Sequence, residues 1–109
     1  MIISAARNGQ ISPDLPGVIY SLGRDAENEE EYEYAFRMLT SLSTQESANV
    51  LSMIILAFSL LAIYHGRLDR TIAEPVIKRA WQTAEGADRA RIQDAVDDIN
   101  TSLKWNLIL

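Results

Sequence analysis

The sequence predicts an all-α fold in one domain, residues 1–109, and three observations predict it. An apolar segment, Ala48 to Tyr64, lies between a helix-start signal and a helix-stop signal. Three further segments repeat apolar residues at i, i+3, i+4 and i+7, which places them on one helical face. Nowhere do apolar and polar residues alternate convincingly, except weakly at the two chain ends. A chain of 109 residues suits a single core.

The elements follow in order. Ser12 is placed as an N-cap with Pro13 at the first helical position, opening a short helix that Gly23 is expected to close. Pro16 is near enough to that start to be tolerated. Asn28 can cap a second helix with Glu31 at its third position, and Tyr32, Ala35, Phe36, Leu39 and Leu42 form its apolar stripe. Ser43-Thr-Gln-Glu46 has the form of a capping box, which puts the start of the next helix near Thr44. Ala48 to Tyr64 is seventeen residues, interrupted only by Asn49, Ser52 and Ser59. A bilayer span needs ~20 apolar residues, so this run is short. A helix apolar nearly all round is one buried on several sides, hence a central core helix. Gly66 can stop it in the left-handed conformation, with Arg67 near the negative helix end.

Beyond it, Asp69 can cap a fourth helix whose apolar face is Ala73, Val76, Ile77, Ala80, Trp81 and Ala84. Pro75 inside that helix removes one backbone bond and is expected to kink it. Gly86 separates it from a last helix with Ile92, Ala95, Val96, Ile99 and Leu103 on one face. Trp105 and Leu107-Ile108-Leu109 are too apolar to stand free, so they are expected to pack back on the last helix or to form a dimer contact. The second and fourth helices begin near Glu29 and Arg70, 41 residues apart; the core and last helices begin near Thr44 and Ala87, 43 apart. Two helices per repeat of about 40–47 residues is the HEAT/armadillo spacing. The expected architecture is therefore two HEAT-like antiparallel helix pairs plus a short N-terminal helix, in a right-handed stack.

Charge narrows the function. Residues 1–54 carry eight acids against three bases, whereas residues 55–109 carry seven of each, so the whole net charge of −5 belongs to the first half. Repulsion from phosphates disfavours nucleic acid and anionic membrane surfaces as partners. A basic protein would be attracted and steered. With no cysteine there is no disulfide framework, thiolate metal site or cysteine nucleophile. MIISAARNGQ lacks a basic stretch followed by a sustained apolar one, so no export signal is read and a cytoplasmic location is expected.

The densest chemical feature is Asp25-Ala-Glu-Asn-Glu-Glu-Glu-Tyr-Glu-Tyr34, six acids in nine residues with two tyrosines among them. Acids in a first helical turn favour the positive dipole end, which accounts for about three of them; the rest form either a solvated face or a protein interface. Tyr32 falls on the core stripe, so Tyr34 is the exposed candidate. Asp94, Asp97 and Asp98 share one face of the last helix and are read as solvated or paired to Arg67, Arg70 or Lys78. The two acid groups together could also form a Mg²⁺ cage of the kind found in all-helical phosphohydrolases, although only Arg37 is near to receive phosphates. His65, the single histidine, can meet carbonyls at the helix end. As a general base it lacks a hydroxyl set against it, since Ser59 lies nearly on the opposite side of the same helix.

The segment from Ala48 to Trp105 resembles short bacterial proteins of HEAT-like helical repeats. The resemblance is carried by Ala62-Ile-Tyr-His-Gly-Arg-Leu-Asp69, by Glu74-Pro75, and by Ala95-Val-Asp-Asp-Ile-Asn100 with Trp105 beyond. Some proteins with this pattern look like immunity proteins of contact-dependent growth inhibition and other polymorphic toxin systems. That resemblance implies a non-catalytic, cofactor-free inhibitor whose partner is the C-terminal domain of a cognate toxin. With the charge asymmetry it points to Glu27, Glu29, Glu30, Glu33 and Tyr34 as partner-binding residues, with Asp94, Asp97 and Asp98 behind them. The readings from other classes are a carboxylate-metal phosphohydrolase and a HEAT-like adaptor.

Overall fold

A computed structural model describes residues 15–44 and 47–109, and its regular elements are five α-helices. They are α1 (Leu15–Asp25), α2 (Glu29–Leu42), α3 (Ala48–His65), α4 (Arg70–Thr83) and α5 (Gly86–Leu103). The fold is all-α, and no strand occurs among the described residues. The expected Ser12 cap with Pro13 lies outside the described residues.

α3 runs through the middle, touching all four other helices, while α1 and α5 flank it without meeting each other. α2 touches α1, α3 and α4, and α4 touches α2, α3 and α5. The molecule measures 36 × 34 × 20 Å. The sequence logic of α3 explains its position. Ile54, Ile55, Ala57, Phe58 and Leu61 are fully buried and face several neighbours at once, which a helix with a single apolar stripe could not do. Phe58 meets the Phe36 ring at 5.5 Å between centroids; its burial contributes roughly 1.5–3 kcal/mol. Although α3 is long and apolar enough to cross a bilayer by length and composition, it is here the central helix of a globule.

Local signals fix most boundaries. The Asn28 side chain accepts the Glu31 N–H at 2.9 Å, and the Glu31 carboxylate reaches back to the Glu27 N–H at 2.8 Å. Asp69 accepts the Thr71 N–H at 3.0 Å. Gly66 ends α3 in the left-handed region at φ 71°, where a Cβ would be strained.

Two boundaries differ from expectation. Ser43 does not cap α3. Its N–H bonds to Leu39 and Thr40 carbonyls and its hydroxyl donates to Thr40, so it closes α2 instead. Ser47 caps α3, accepting from the Val50 N–H, and the helix starts at Ala48 rather than near Thr44; Glu46 lies outside the described residues. The starts of α3 and α5 are consequently 38 residues apart, not 43. The second difference is Gly23, which does not stop α1. The helix continues to Asp25, and Gly23 lies against α3, where an added Cβ would sit 2.6 Å from the Ala57 carbonyl oxygen. Glycine is there because two helix backbones nearly touch.

α4 is one continuous helix through Pro75, which is exposed. Trp81, expected in the core, is only half-buried, and the Arg89 guanidinium covers its ring at 4.1 Å. The chain end packs back on α5. Asn100 donates to the Leu107 carbonyl at 3.0 Å and accepts the Leu107 N–H at 3.2 Å, burying that side chain. Arg70 lies 5.1 Å from the Trp105 ring centroid, and Ile108 remains exposed.

Candidate functional site

The first turn of α2 carries Glu29, Glu30 and Glu31, which complement the positive end of the helix dipole. Helical geometry then separates their tasks. Glu31 is spent on the Glu27 N–H, whereas Glu29 and Glu33, four residues apart, project from the same face. Both accept from the same nitrogen of Arg67, Glu33 at 2.7 Å. The Arg67 guanidinium also lies over the Tyr32 ring, 4.2 Å from its centroid. Tyr32 is buried as its stripe position predicts, and its hydroxyl donates to the Arg67 backbone carbonyl at 3.0 Å. Burial raises the Tyr32 phenol above its ordinary 10.0, with the Arg67 charge opposing. The hydrogen bond that the Arg67 guanidinium donates to Glu33 is the largest cause holding it above its own ordinary value.

His65 completes this end of the molecule. Its Nε2 lies 2.9 Å from the Ala26 carbonyl, which can only accept, so that nitrogen carries the proton. Its ring packs at 5.0 Å on Tyr32. The helix-end carbonyl expected to meet it is thus replaced by one from the α1–α2 turn. Ser59 is buried and donates to the Leu56 carbonyl at 2.5 Å. His65, Tyr32 and Arg67 together pin the α3–α4 turn to the start of α2, so the acidic helix end is held by contacts distant in sequence.

Of the residues expected to bind a partner, Glu27, Glu29, Glu30, Glu33 and Tyr34 are all exposed and lie together at the start of α2. The carboxylates of Glu27 and Glu30 make no hydrogen bond or ion pair among the described residues. Asp25 is engaged by Arg24 at 2.7 Å, and that hydrogen bond holds its carboxyl below the ordinary 3.8. Asp94, Asp97 and Asp98 are exposed on α5, and Asp97 accepts from Gln93 at 3.0 Å. The bases expected to pair with them are engaged elsewhere: Arg67 on α2, and Arg70 and Lys78 on Glu74. Because α2 and α5 do not touch, the two acid groups are not brought together. Among the described residues no three carboxylate or histidine side chains converge as metal ligands, so the alternative of a Mg²⁺ cage drawn from both groups finds no assembled ligand set there.

Sequence reasoning missed two features here. Ile63 and Tyr64 are exposed on the last turn of α3, Tyr64 at 58% and near Arg24. No periodicity could mark them, because α3 is apolar on every side. The other is a groove of about 400 Å³ between α2 and the start of α4, floored by Phe36, Leu68 and Ile72, with Arg37 and Arg67 at its rim. Arg37 makes no hydrogen bond or ion pair among the described residues.

The class that fold and surface define is a small all-α protein with one acidic pole bearing exposed tyrosines. Comparisons with protein-family models, with curated proteins and with solved structures each find no match.

Proposed function

We propose that this chain is an immunity-type inhibitor, a cytoplasmic HEAT-like protein that neutralises the C-terminal domain of a basic toxin, a nuclease, without catalysis of its own. The observation that carries this is the acidic pole: six carboxylates between Asp25 and Glu33, answered there by the guanidiniums of Arg24 and Arg67. A nuclease must be positive where its nucleic acid lies, so carboxylates presented on a rigid helix end compete with phosphates through the same field. The exposed Tyr34 on the same helix, with Tyr64 near Arg24, supplies the aromatic anchors that interfaces need. The resemblance to HEAT-like immunity proteins supports the same reading. Asp94, Asp97 and Asp98, on a helix that does not meet α2, form a secondary surface.

The test is calorimetry against the C-terminal domain of the polypeptide encoded immediately upstream, at low and high salt. Nanomolar binding that weakens with salt is expected. Reversing Glu29, Glu30 and Glu33 to lysine should weaken it by about 30-fold or more, on the order of the 2–5 kcal/mol that disrupted charge pairs cost at interfaces, with helical circular dichroism unchanged. Unchanged affinity in that variant would remove α2 from the interface; no binding by the wild type would remove the inhibitor reading.

A further inference from the structure

The end of α2 already shows how it holds a guanidinium. Glu29 and Glu33 offer two carboxylates from one helical face, the Tyr32 ring lies beneath, and Arg67 of the same chain fills the space between them. We infer that Tyr32, Glu29 and Glu33 form an arginine-binding site, occupied in the free protein by Arg67 and taken over by an arginine of a basic protein partner. The inference rests on the reading that the acidic pole binds such a partner, and it makes Arg67 an internal competitor for the site.

Three features make the exchange physically accessible. The pair is exposed: the Arg67 side chain retains 47% of its accessible surface, Glu29 73% and Glu33 49%, and ion pairs this open are held only weakly against water. The Arg67 backbone is anchored separately, through its carbonyl and the Tyr32 hydroxyl, so the side chain can leave without unfolding the turn. The adjoining groove of about 400 Å³ gives an incoming side chain room, with Phe36, Leu68 and Ile72 to receive its methylenes. The site discriminates by shape. A planar fork can lie on the ring while bonding both carboxylates, whereas an ammonium is a point charge that gains little from that arrangement.

The experiment uses the full chain with oligoarginine and oligolysine peptides of equal length, titrated at low and high salt. Arg67→Ala and, as a milder change, Arg67→Gln are compared with Arg79→Ala, which removes one exposed positive charge nearer the other end of α4. Circular dichroism establishes that each variant is folded. Both Arg67 variants should bind oligoarginine about three- to tenfold more tightly than wild type, and their gain for oligolysine should not exceed that of Arg79→Ala. If the Arg67 variants gain no more than Arg79→Ala, or gain equally for both peptides, the exchange is overturned while the acidic-pole reading stands. If neither peptide binds wild type or variants at low salt, the acidic-pole reading fails and the inference fails with it.

Discussion

Replacing Gly23 with alanine sets helix propensity against packing within one residue. In the interior of α1, alanine is intrinsically better than glycine by roughly 0.8–1 kcal/mol. At Gly23, however, the new Cβ would lie 2.6 Å from the Ala57 carbonyl oxygen, 2.7 Å from its Cα and 2.9 Å from its Cβ. None of these atoms belongs to a flexible side-chain end that could swing away. The α1–α3 axes must separate, and the buried Leu15 and Ile19 lose contact with them. Overpacking of this kind costs about 1–3 kcal/mol, with the upper part of that range expected for backbone atoms. The net is a destabilisation of about 1–2 kcal/mol. At ~4–8 °C per kcal/mol for a domain of this size, the melting temperature should fall by roughly 5–15 °C. Gly17, on the same helix, has nothing within 4 Å of an added Cβ, so Gly17→Ala should stabilise by about 0.5–1 kcal/mol. Urea unfolding followed at 222 nm measures both. If the two substitutions shift the midpoint in the same direction, the close approach of α1 and α3 at Ala57 is wrong.

Asn100→Ala removes both hydrogen bonds that hold Leu107 and should cost about 1–2 kcal/mol; Trp105 fluorescence should become more accessible to acrylamide, and unchanged quenching would show that the tail is held by other contacts. The Glu74 carboxyl is held below its ordinary 4.5, chiefly by the hydrogen bond from Arg70 and further by the Lys78 charge. A lowered folded-state value contributes stability above the unfolded value that is lost as pH falls through the folded one. Wild type should therefore lose more stability than Glu74→Gln between about pH 5 and pH 3, and parallel denaturation profiles would show that the Arg70 contact does not survive in solution.

Much of the chain was legible because its signals are local. Asn28, Asp69 and Gly66 each act within one helical turn of themselves, and each does what its residue type predicts. The stripe of α2 likewise put Tyr32 inside and Tyr34 outside. Ser43 shows where local reading stops. Its sequence suits a helix start, yet the same hydroxyl can close the preceding helix, and only the path of the turn decides between the two. The acidic pole was visible as composition, and the shared face of Glu29 and Glu33 as spacing, but the partner of both was not. Arg67 reaches them across 38 and 34 residues, and no period in the chain encodes that.

The sequence by itself determined that this is a helical chain, where most helices begin, which one is central, and which half bears the negative charge. These follow from backbone capping, side-chain period and summed charge, all properties of neighbours along the chain. The tertiary structure decided that Gly23 is a contact rather than a stop, that Asn100 clamps the tail, and that Arg67 lies between two glutamates over a tyrosine. Each of those depends on which surfaces pack against one another, and that is set by the joint burial of several helices around α3 rather than by any one of them.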